Sequence, residues 1–408
     1  MRKGNRKGNM ADLSVSFLGV EFKNPVVAAS AEPTASFQNM ERVVETGAGG
    51  LVVKTMTDSE AMRKLSLQTR WRYLDERHQI CRGKIPRLFT FYGRTGLEEK
   101  PAEVWAKEVE RARELGDREG CVVIGSIAGT TVEGWVNLAK LTEETGVRMM
   151  ELNFGCPHPS QMQGTKTGML TGQDKALSVE IVKAVSESVS IPIIIKLTPQ
   201  VTDLVEMAEA VHDAGAAAVT LMNRFIGFAV NPETGRPIIL GTAGVGGPWV
   251  KPLTLRWIYE VYNKLGIAIS GTNGPHDAHD VVEFMMAGAR TVQMCSVVMA
   301  RGYSWLTKTI RELNEFLDRK GYNSAKDVIG VAAKSAMTYA QMAEFPKEQA
   351  EVDEDLCTLC GKCIDSCFYD ALSVKEDRIV VEGCWGCGIC SCVCPEGAIS
   401  IVDGPVGE

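Results

Sequence analysis

The sequence predicts an α/β chain in two parts: a (β/α)8 TIM barrel, and a small C-terminal domain built around metal clusters. Three observations predict it. Eight short runs rich in Val and Ile recur between Asp12 and Leu306. Helix-like spacers such as DLVEMAEAVHDAGA and DAHDVVEFMMAGA precede several of them and end in Gly-Ala turns that feed the next run. Two copies of C-x-x-C-x-x-C-x-x-x-C then follow in tandem near the C-terminus.

The eight runs, in order, are PVVAAS at 25, GGLVVKT at 49, CVVIGSIA at 121, MMELNFG at 149, PIIIKLT at 192, AAAVTLMN at 216, GIAISGT at 266 and TVQMCSV at 291. Each is nearly continuous in apolar residues, the pattern of a strand buried on both faces. Eight β-then-α units point to a closed barrel, with a doubly wound sheet as the runner-up. Ahead of them, LSVSFLGVEFKNP reads as a two-stranded hairpin over the barrel floor. The stretch from Thr57 to Gly120 reads as an insertion after the second strand, on the face where catalytic loops lie. The boundaries are residues 12–306 for the barrel, 307–348 for a helical linker and 349–408 for the small domain. Residues 1–11, opening with the basic MRKGNRKGN, read as a disordered extension or expression remnant, with Met10 as the natural start.

Composition narrows the function. The 408 residues are 45% hydrophobic, ordinary for a globular chain, and no apolar run reaches membrane-spanning length. The net charge of -7 argues against nucleic acid as a partner. From Gln349 onward there are 3 Lys and Arg against 12 Asp and Glu, a charge of -9 that leaves +2 for the rest. An acidic electron-carrying module suits a basic docking face on a partner protein.

Nine of the 13 cysteines lie in the tail. Their spacing is that of a ferredoxin-like domain with two [4Fe–4S] clusters, in which the fourth cysteine of each run ligates the other cluster. One cluster is then assigned to Cys357, Cys360, Cys363 and Cys394, the other to Cys367, Cys384, Cys387 and Cys390. Cys392 is out of register. A disulfide framework would need an oxidising compartment, and zinc ligands come as separated pairs. The scattered Cys81, Cys121, Cys156 and Cys295 suit a reducing cytoplasm. Such clusters carry single electrons, so redox chemistry is expected upstream.

In a barrel, polar residues at the C-terminal strand ends are the catalytic candidates. These are Ser30, Lys54, Thr55, Asn153, Cys156, Lys196, Thr198, Asn223, Thr272 and Ser296. Two lysines that end apolar strands are unusual, because a buried ammonium is costly without a partner, and a positive charge held there wants an anion. Glycine-rich segments, GTAGVGGPWVKP, ISGTNGPHD and CSVVMARG, fall near the seventh and eighth strands. Their backbone amides can cradle the phosphate of a cofactor such as FMN.

From about Asp12 to Met337 the chain resembles the dihydroorotate dehydrogenase superfamily, most closely the catalytic part of dihydropyrimidine dehydrogenase, which also ends in a two-cluster module. The matching strings are NPVVAASAEPT, VVKT, ELNFGCPH, TGQD, IIIKLTP and TLMN, then GVGGPWVKPLTLR and FMMAGARTVQMCSVV. The resemblance implies FMN in the barrel and reduction of a ring carbon–carbon double bond. It implies that Cys156 exchanges a proton with the substrate carbon, and that Lys196 lies beside the flavin N1–C2 carbonyl, where negative charge collects. Ser30 joins Lys54 and Thr55 as flavin or substrate contacts. Gly247, Gly274 and Ser296 match positions holding the FMN phosphate, and Asn153 and Asn223 those reading a pyrimidine ring. Pro157 to Thr171 would be a mobile loop carrying Cys156. A thiol near its reference pKa of about 8.5 is protonated at neutral pH and can give that proton to carbon.

The departures concern the substrate. Gly93 and Thr95 stand where the family has an asparagine and an acid, Arg224 follows Asn223 in place of threonine, and Asn273 replaces the first glycine of a phosphate turn. With Arg94 and Arg224 entering the pocket, a ring compound carrying an anionic group is the expected substrate. No G-x-G-x-x-G opens a βαβ unit, so a separate FAD- and NAD(P)H-binding reductase subunit is expected as electron donor. The resemblance also suggests a homodimer. Two rival readings are a dihydroorotate dehydrogenase and a non-catalytic electron-transfer subunit with a degenerate barrel.

Overall fold

The computed structural model describes residues 10–156, 168–343 and 345–403. Residues 1–9 and most of the segment from 157 to 171 lie outside them, so neither the expected disordered start nor the expected mobile loop is described. The described chain divides into two units, 1–335 and 336–408.

Eight parallel strands close the first unit into a barrel. They are β1 (Val26–Ala28), β2 (Gly50–Val52), β3 (Val122–Ala128), β4 (Met150–Asn153), β5 (Ile193–Lys196), β6 (Ala218–Leu221), β7 (Ala268–Thr272) and β8 (Thr291–Met294). Each pairs with its sequence neighbours, and β8 pairs with β1 to complete the ring. All eight expected runs form these strands, and the doubly wound alternative falls away. β1, β2, β4, β5, β6 and β8 are buried along their whole length, as strands enclosed by both a barrel interior and a helical shell must be.

The shell is α1 (Phe37–Glu45), α2 (Ala102–Glu119), α3 (Val132–Glu144), α4 (Lys175–Ser186), α5 (Leu204–Asp213), α6 (Lys251–Leu265), α7 (Ala278–Ala287) and α8 (Ser304–Lys320). Local chemistry sets their ends. Ser36, Thr131, Asp174, Asp203 and Asp277 accept backbone N–H bonds at N-termini. Gly120, Gly266 and Gly321 end α2, α6 and α8 at positive φ. Helix α8 sends Leu306, Leu313 and Leu317 into the barrel's core, so the stretch from 307, expected to begin a linker, belongs to the first unit. The expected hairpin pairs Val15–Phe17 with Val20–Phe22, and the Phe22 ring packs close against Gly50 at the start of β2.

The insertion behind β2 holds two antiparallel strands, Arg70–Leu74 and Thr90–Arg94, and ends before α2. These join Ala243–Gly246 and Phe225–Gly227, from the loop after β6, in a four-stranded sheet. Sequence alone did not suggest this sheet.

The second unit is a pair of antiparallel strand pairs, Glu348–Val352 with Ile399–Asp403 and Leu372–Lys375 with Arg378–Val381. Two short helices, Lys362–Asp365 and Ile389–Val393, carry the third cysteine of each run. Its small core is Ala350, Leu372, Ile379 and Ile399 with Cys363 and Cys390. Too few apolar residues are buried to make this fold self-sufficient, which is the usual condition of a domain held by its clusters.

Candidate active site and cluster centres

One cavity lies at the C-terminal ends of the strands. Ser30, Lys54, Thr55, Asn153, Cys156, Lys196, Asn223, Arg224, Gly247, Gly274 and Ser296 all line it. Thr272 lines it too, whereas Thr198 is buried outside it. Arg94 is not among the lining residues, against expectation. Arg94 lies three residues beyond Phe91 on the same strand, and strand side chains alternate faces, so the Phe91 ring faces the cavity and Arg94 takes the other face.

A chain of short polar side chains runs across the floor. Thr55 Oγ1 lies 3.1 Å from Ser30 Oγ and 2.9 Å from Ser126 Oγ, and accepts the Asn153 amide at 3.1 Å. Asn153 Oδ1 accepts from Asn223 Nδ2 at 3.2 Å and from the Gly155 N–H at 3.2 Å. Two amides from β4 and from the loop after β6 are therefore fixed relative to each other before any ligand arrives.

Both lysines are paired, not snorkelling. Lys54 Nζ is 2.9 Å from Glu32 Oε1, and Thr95 donates to that same oxygen at 2.8 Å. Burial alone would raise the Glu32 carboxyl. The Lys54 charge and the hydrogen bonds from Lys54 and Thr95 outweigh it and hold the group below the usual carboxylate range. Lys196 Nζ is 3.2 Å from Glu151 Oε1 and 3.2 Å from Gln293 Oε1.

Arg224 lies on an aromatic wall. Its guanidinium sits 5.1 Å above the Trp71 ring, which stacks on Phe91 at 4.7 Å. Its Nη1 donates to the Gly93 and Gly244 carbonyls at 3.1 and 3.3 Å. A side chain at Gly93 would strike the Trp71 ring, and one at Gly244 would lie 2.6 Å from the guanidinium carbon. The two glycines and the arginine thus form one arrangement. Desolvation draws the Arg224 pKa below the ordinary guanidinium value, though an arginine stays charged at neutral pH. Burial pushes the nearby Cys295 thiol up to about 11, so it stays neutral.

The three residues expected to hold a phosphate line the same cavity. Gly247 precedes the turn that leads into α6, Gly274 precedes α7, and Ser296 opens the short helix after β8. Each lies at or shortly before a helix start, where free backbone N–H groups are the donors an anion needs. Asn273 holds φ 66°, the left-handed conformation a glycine would supply, and its side chain reaches the Gly247 N–H at 3.4 Å and the Asn223 carbonyl at 3.0 Å. The glycine-rich helix starts and the cationic Lys196 on one cavity fit FMN.

In the second unit eight cysteines line two hollows. One hollow is walled by Cys357, Cys360, Cys363 and Cys394, a second by Cys367, Cys384, Cys387 and Cys390. Cys392 borders neither. Backbone N–H groups of Ala371, Gly386 and Ala398 point at Cys367, Cys384 and Cys394 sulfurs, each at 3.3 Å. These donors favour thiolate ligands over thiols.

Sequence reasoning missed Glu32, Trp71, Glu151 and Gln293. Glu151 had a signal, since a charged residue inside MMELNFG is as anomalous as the two lysines that were noticed. Trp71 had none, because its position depends on the extra sheet.

Residues 12–317 match the family model described as dihydroorotate dehydrogenase, and residues 350–373 match the 4Fe-4S binding domain. The chain is similar to the dihydroorotate dehydrogenase B (NAD(+)) catalytic subunit of Methanothermobacter thermautotrophicus, 33% identical over 78% of this chain and 98% of that protein. It is similar as well to the NAD-dependent dihydropyrimidine dehydrogenase subunit PreA of Escherichia coli, 29% identical over 96% of this chain and 95% of that one. Among the described residues no helix is long and apolar enough to cross a membrane. With a closed eightfold barrel, a cavity at its strand ends and a 4Fe–4S domain that follows in sequence, this chain belongs to the dihydroorotate dehydrogenase family of FMN-binding oxidoreductases.

Proposed function

We propose that the chain is the catalytic subunit of an oxidoreductase that reduces a ring carbon–carbon double bond in a pyrimidine-like or related heterocyclic or aromatic substrate. The observation that carries this reading is the convergence of Cys156, the Asn153–Asn223 amide pair and Lys196 on one cavity. When bound, FMN supplies hydride chemistry and the [4Fe–4S] clusters supply single-electron transfer. The work of this chain's residues is distinct from that. Asn153 and Asn223 present hydrogen-bonding groups at a fixed spacing, which orients a planar ring. Cys156 is only 7% exposed and holds a proton out of water's reach until the substrate carbon takes it. Lys196 holds positive charge where negative charge collects, and Gly247, Gly274 and Ser296 hold the phosphate. Ser30, Lys54 and Thr55 wall the cofactor.

The full-length likeness to a dihydropyrimidine dehydrogenase subunit supports a separate FAD- and NAD(P)H-binding reductase subunit as electron donor. The isolated chain, loaded with clusters and FMN, should not oxidise NADPH or NADH at catalytic rates, and full turnover without a partner would overturn that. Arg224 on its Trp71 wall supports a substrate with an anionic substituent. Replacing it by leucine should raise KM for a carboxylated ring roughly 10- to 100-fold, the worth of a charged hydrogen bond, and leave a neutral ring nearly unaffected.

The second reading, a dihydroorotate dehydrogenase, is favoured by the barrel's 33% identity to such a catalytic subunit. One anaerobic experiment separates the two. Reduced protein is mixed with a panel of heterocycles and aromatic acids while flavin absorbance is followed, and oxidised protein is mixed with dihydroorotate. Reoxidation by a ring substrate supports the proposal. Bleaching by dihydroorotate with no response to the panel would sink it.

A further inference from the structure

Glu151 has no exposed surface, and it sits on β4 two residues before Asn153, one layer below the cavity. Its Oε1 lies 3.2 Å from Lys196 Nζ. Its Oε2 accepts from Thr220 Oγ1 at 2.7 Å and from Gln293 Nε2 at 2.9 Å. Gln293 also accepts from Lys196 at 3.2 Å and donates to Ser270 Oγ at 3.2 Å. Five consecutive strands, β4 to β8, thus each place one polar side chain in a single network inside the barrel. Lys196 and Gln293 reach the cavity, and Glu151 does not.

The interior of such a barrel is ordinarily filled by branched apolar side chains. A fully buried carboxylate costs several kcal/mol in lost hydration, and its pairing offsets that only when its other oxygen is satisfied as well. A well-packed apolar residue would fill the volume at no such cost, so stability does not account for Glu151. Its effect on Lys196 does.

We propose that Glu151 is a positioning residue that fixes the Lys196 ammonium at the cavity and offsets its charge, and so sets the reduction potential of the bound flavin. The inference rests on the reading that Lys196 faces the flavin. Its sign follows from charge. A lysine with no counter-charge would favour the negative charge that reduction brings, making the flavin easier to reduce and a weaker hydride donor. Paired with Glu151, the lysine still orients the flavin as a hydrogen-bond donor, while the pair adds no net charge to the site. The flavin therefore keeps more of its reducing power, which hydride delivery to a ring double bond requires.

The test uses the full chain with FMN bound. Glu151→Gln preserves shape and removes the charge. Two readouts avoid dependence on turnover: the flavin midpoint potential, and the dissociation constant for sulfite, which binds oxidised flavins more tightly in more positive surroundings. Glu151→Gln should bind sulfite about tenfold more tightly. Its potential should rise about 30 mV, the same tenfold factor for a two-electron couple. In a Lys196→Met background the same substitution should move either value less than a third as far. An unchanged or lowered potential in Glu151→Gln overturns the inference, as does an equal shift without the lysine. If Glu151→Gln folds too poorly to hold FMN, Thr220→Val decides. It keeps the charge, removes one donor from the carboxylate and directs more of that charge at Lys196, so the potential should fall; a rise or no change overturns the inference. Wild-type chain that holds no FMN at all would instead overturn the reading of the site.

Discussion

Cys156 and Glu32 sit in the same cavity and are governed by different physics. As the proposed proton donor the thiol is useful only while it holds its proton, and its burial keeps that proton from bulk water. Cys156→Ala should lower substrate turnover about 10²- to 10⁴-fold, the usual worth of a positioned general acid, with FMN content and cluster absorbance unchanged. An electron carrier without its own chemistry would be indifferent to that change. Glu32 is useful as a charge. Its folded pKa lies below the 4.5 of the free carboxyl because Lys54 and Thr95 favour the ionised form over the opposing effect of burial. The stability it contributes is therefore full above about pH 4.5 and lost as pH falls through the lower folded value. Glu32→Gln should be less stable than wild type at neutral pH, with the gap closing in acid. Denaturant titrations at several pH values check this, and a gap that widens on acidification would reverse the sign.

At the level of elements, the four-stranded sheet supplies part of the cavity wall. Trp71 and Phe91 reach the cavity from its two insertion strands, and Arg224 lies against them from the loop after β6. Gly93 is the hinge of that packing, since it leaves the space the Trp71 ring occupies. Gly93→Ala should push Trp71 off Phe91 and unseat Arg224. A loss of about 1–3 kcal/mol in stability is expected from the overpacking, together with a raised substrate KM at nearly unchanged FMN affinity. Denaturation and flavin titration on the same preparation measure both. Loss of FMN with substrate KM intact would show that the sheet serves the cofactor.

For the whole molecule, the division of labour is covalent. An acidic tail at -9 and a remainder at a net +2 are joined in one chain. Each hollow takes its fourth cysteine from the other run, so clusters bound there would link the two halves of the tail. Cys394→Ser should therefore perturb the same cluster as Cys357→Ser, and Cys367→Ser the same cluster as Cys384→Ser. Paramagnetic resonance of the reduced variants would read this. Grouping by sequence run, with Cys394→Ser matching Cys384→Ser, would overturn the crossed arrangement. Electron delivery from a partner subunit should slow as salt rises, since opposite charges speed encounter and ions screen them.

The eight strands were legible because burial on both faces writes itself into local composition: PIIIKLT and AAAVTLMN have no polar side to hide. The cysteine runs were legible because ligand spacing is a local property too. The same locality put Cys156, Lys196 and their companions on one cavity, since every βα loop of a closed barrel opens on one end. Tertiary structure alone decided the rest. The sheet over the mouth pairs strands such as Thr90–Arg94 and Ala243–Gly246, distant in sequence and too short to carry a periodic signal. The helix Ser304–Lys320 joined the barrel because its apolar stripe found that core, where spacing had suggested a linker. Glu151 meets Lys196, and Arg224 meets Trp71, only once the ring closes; ion pairs and cation–π contacts depend on distances that no stretch of chain specifies by itself.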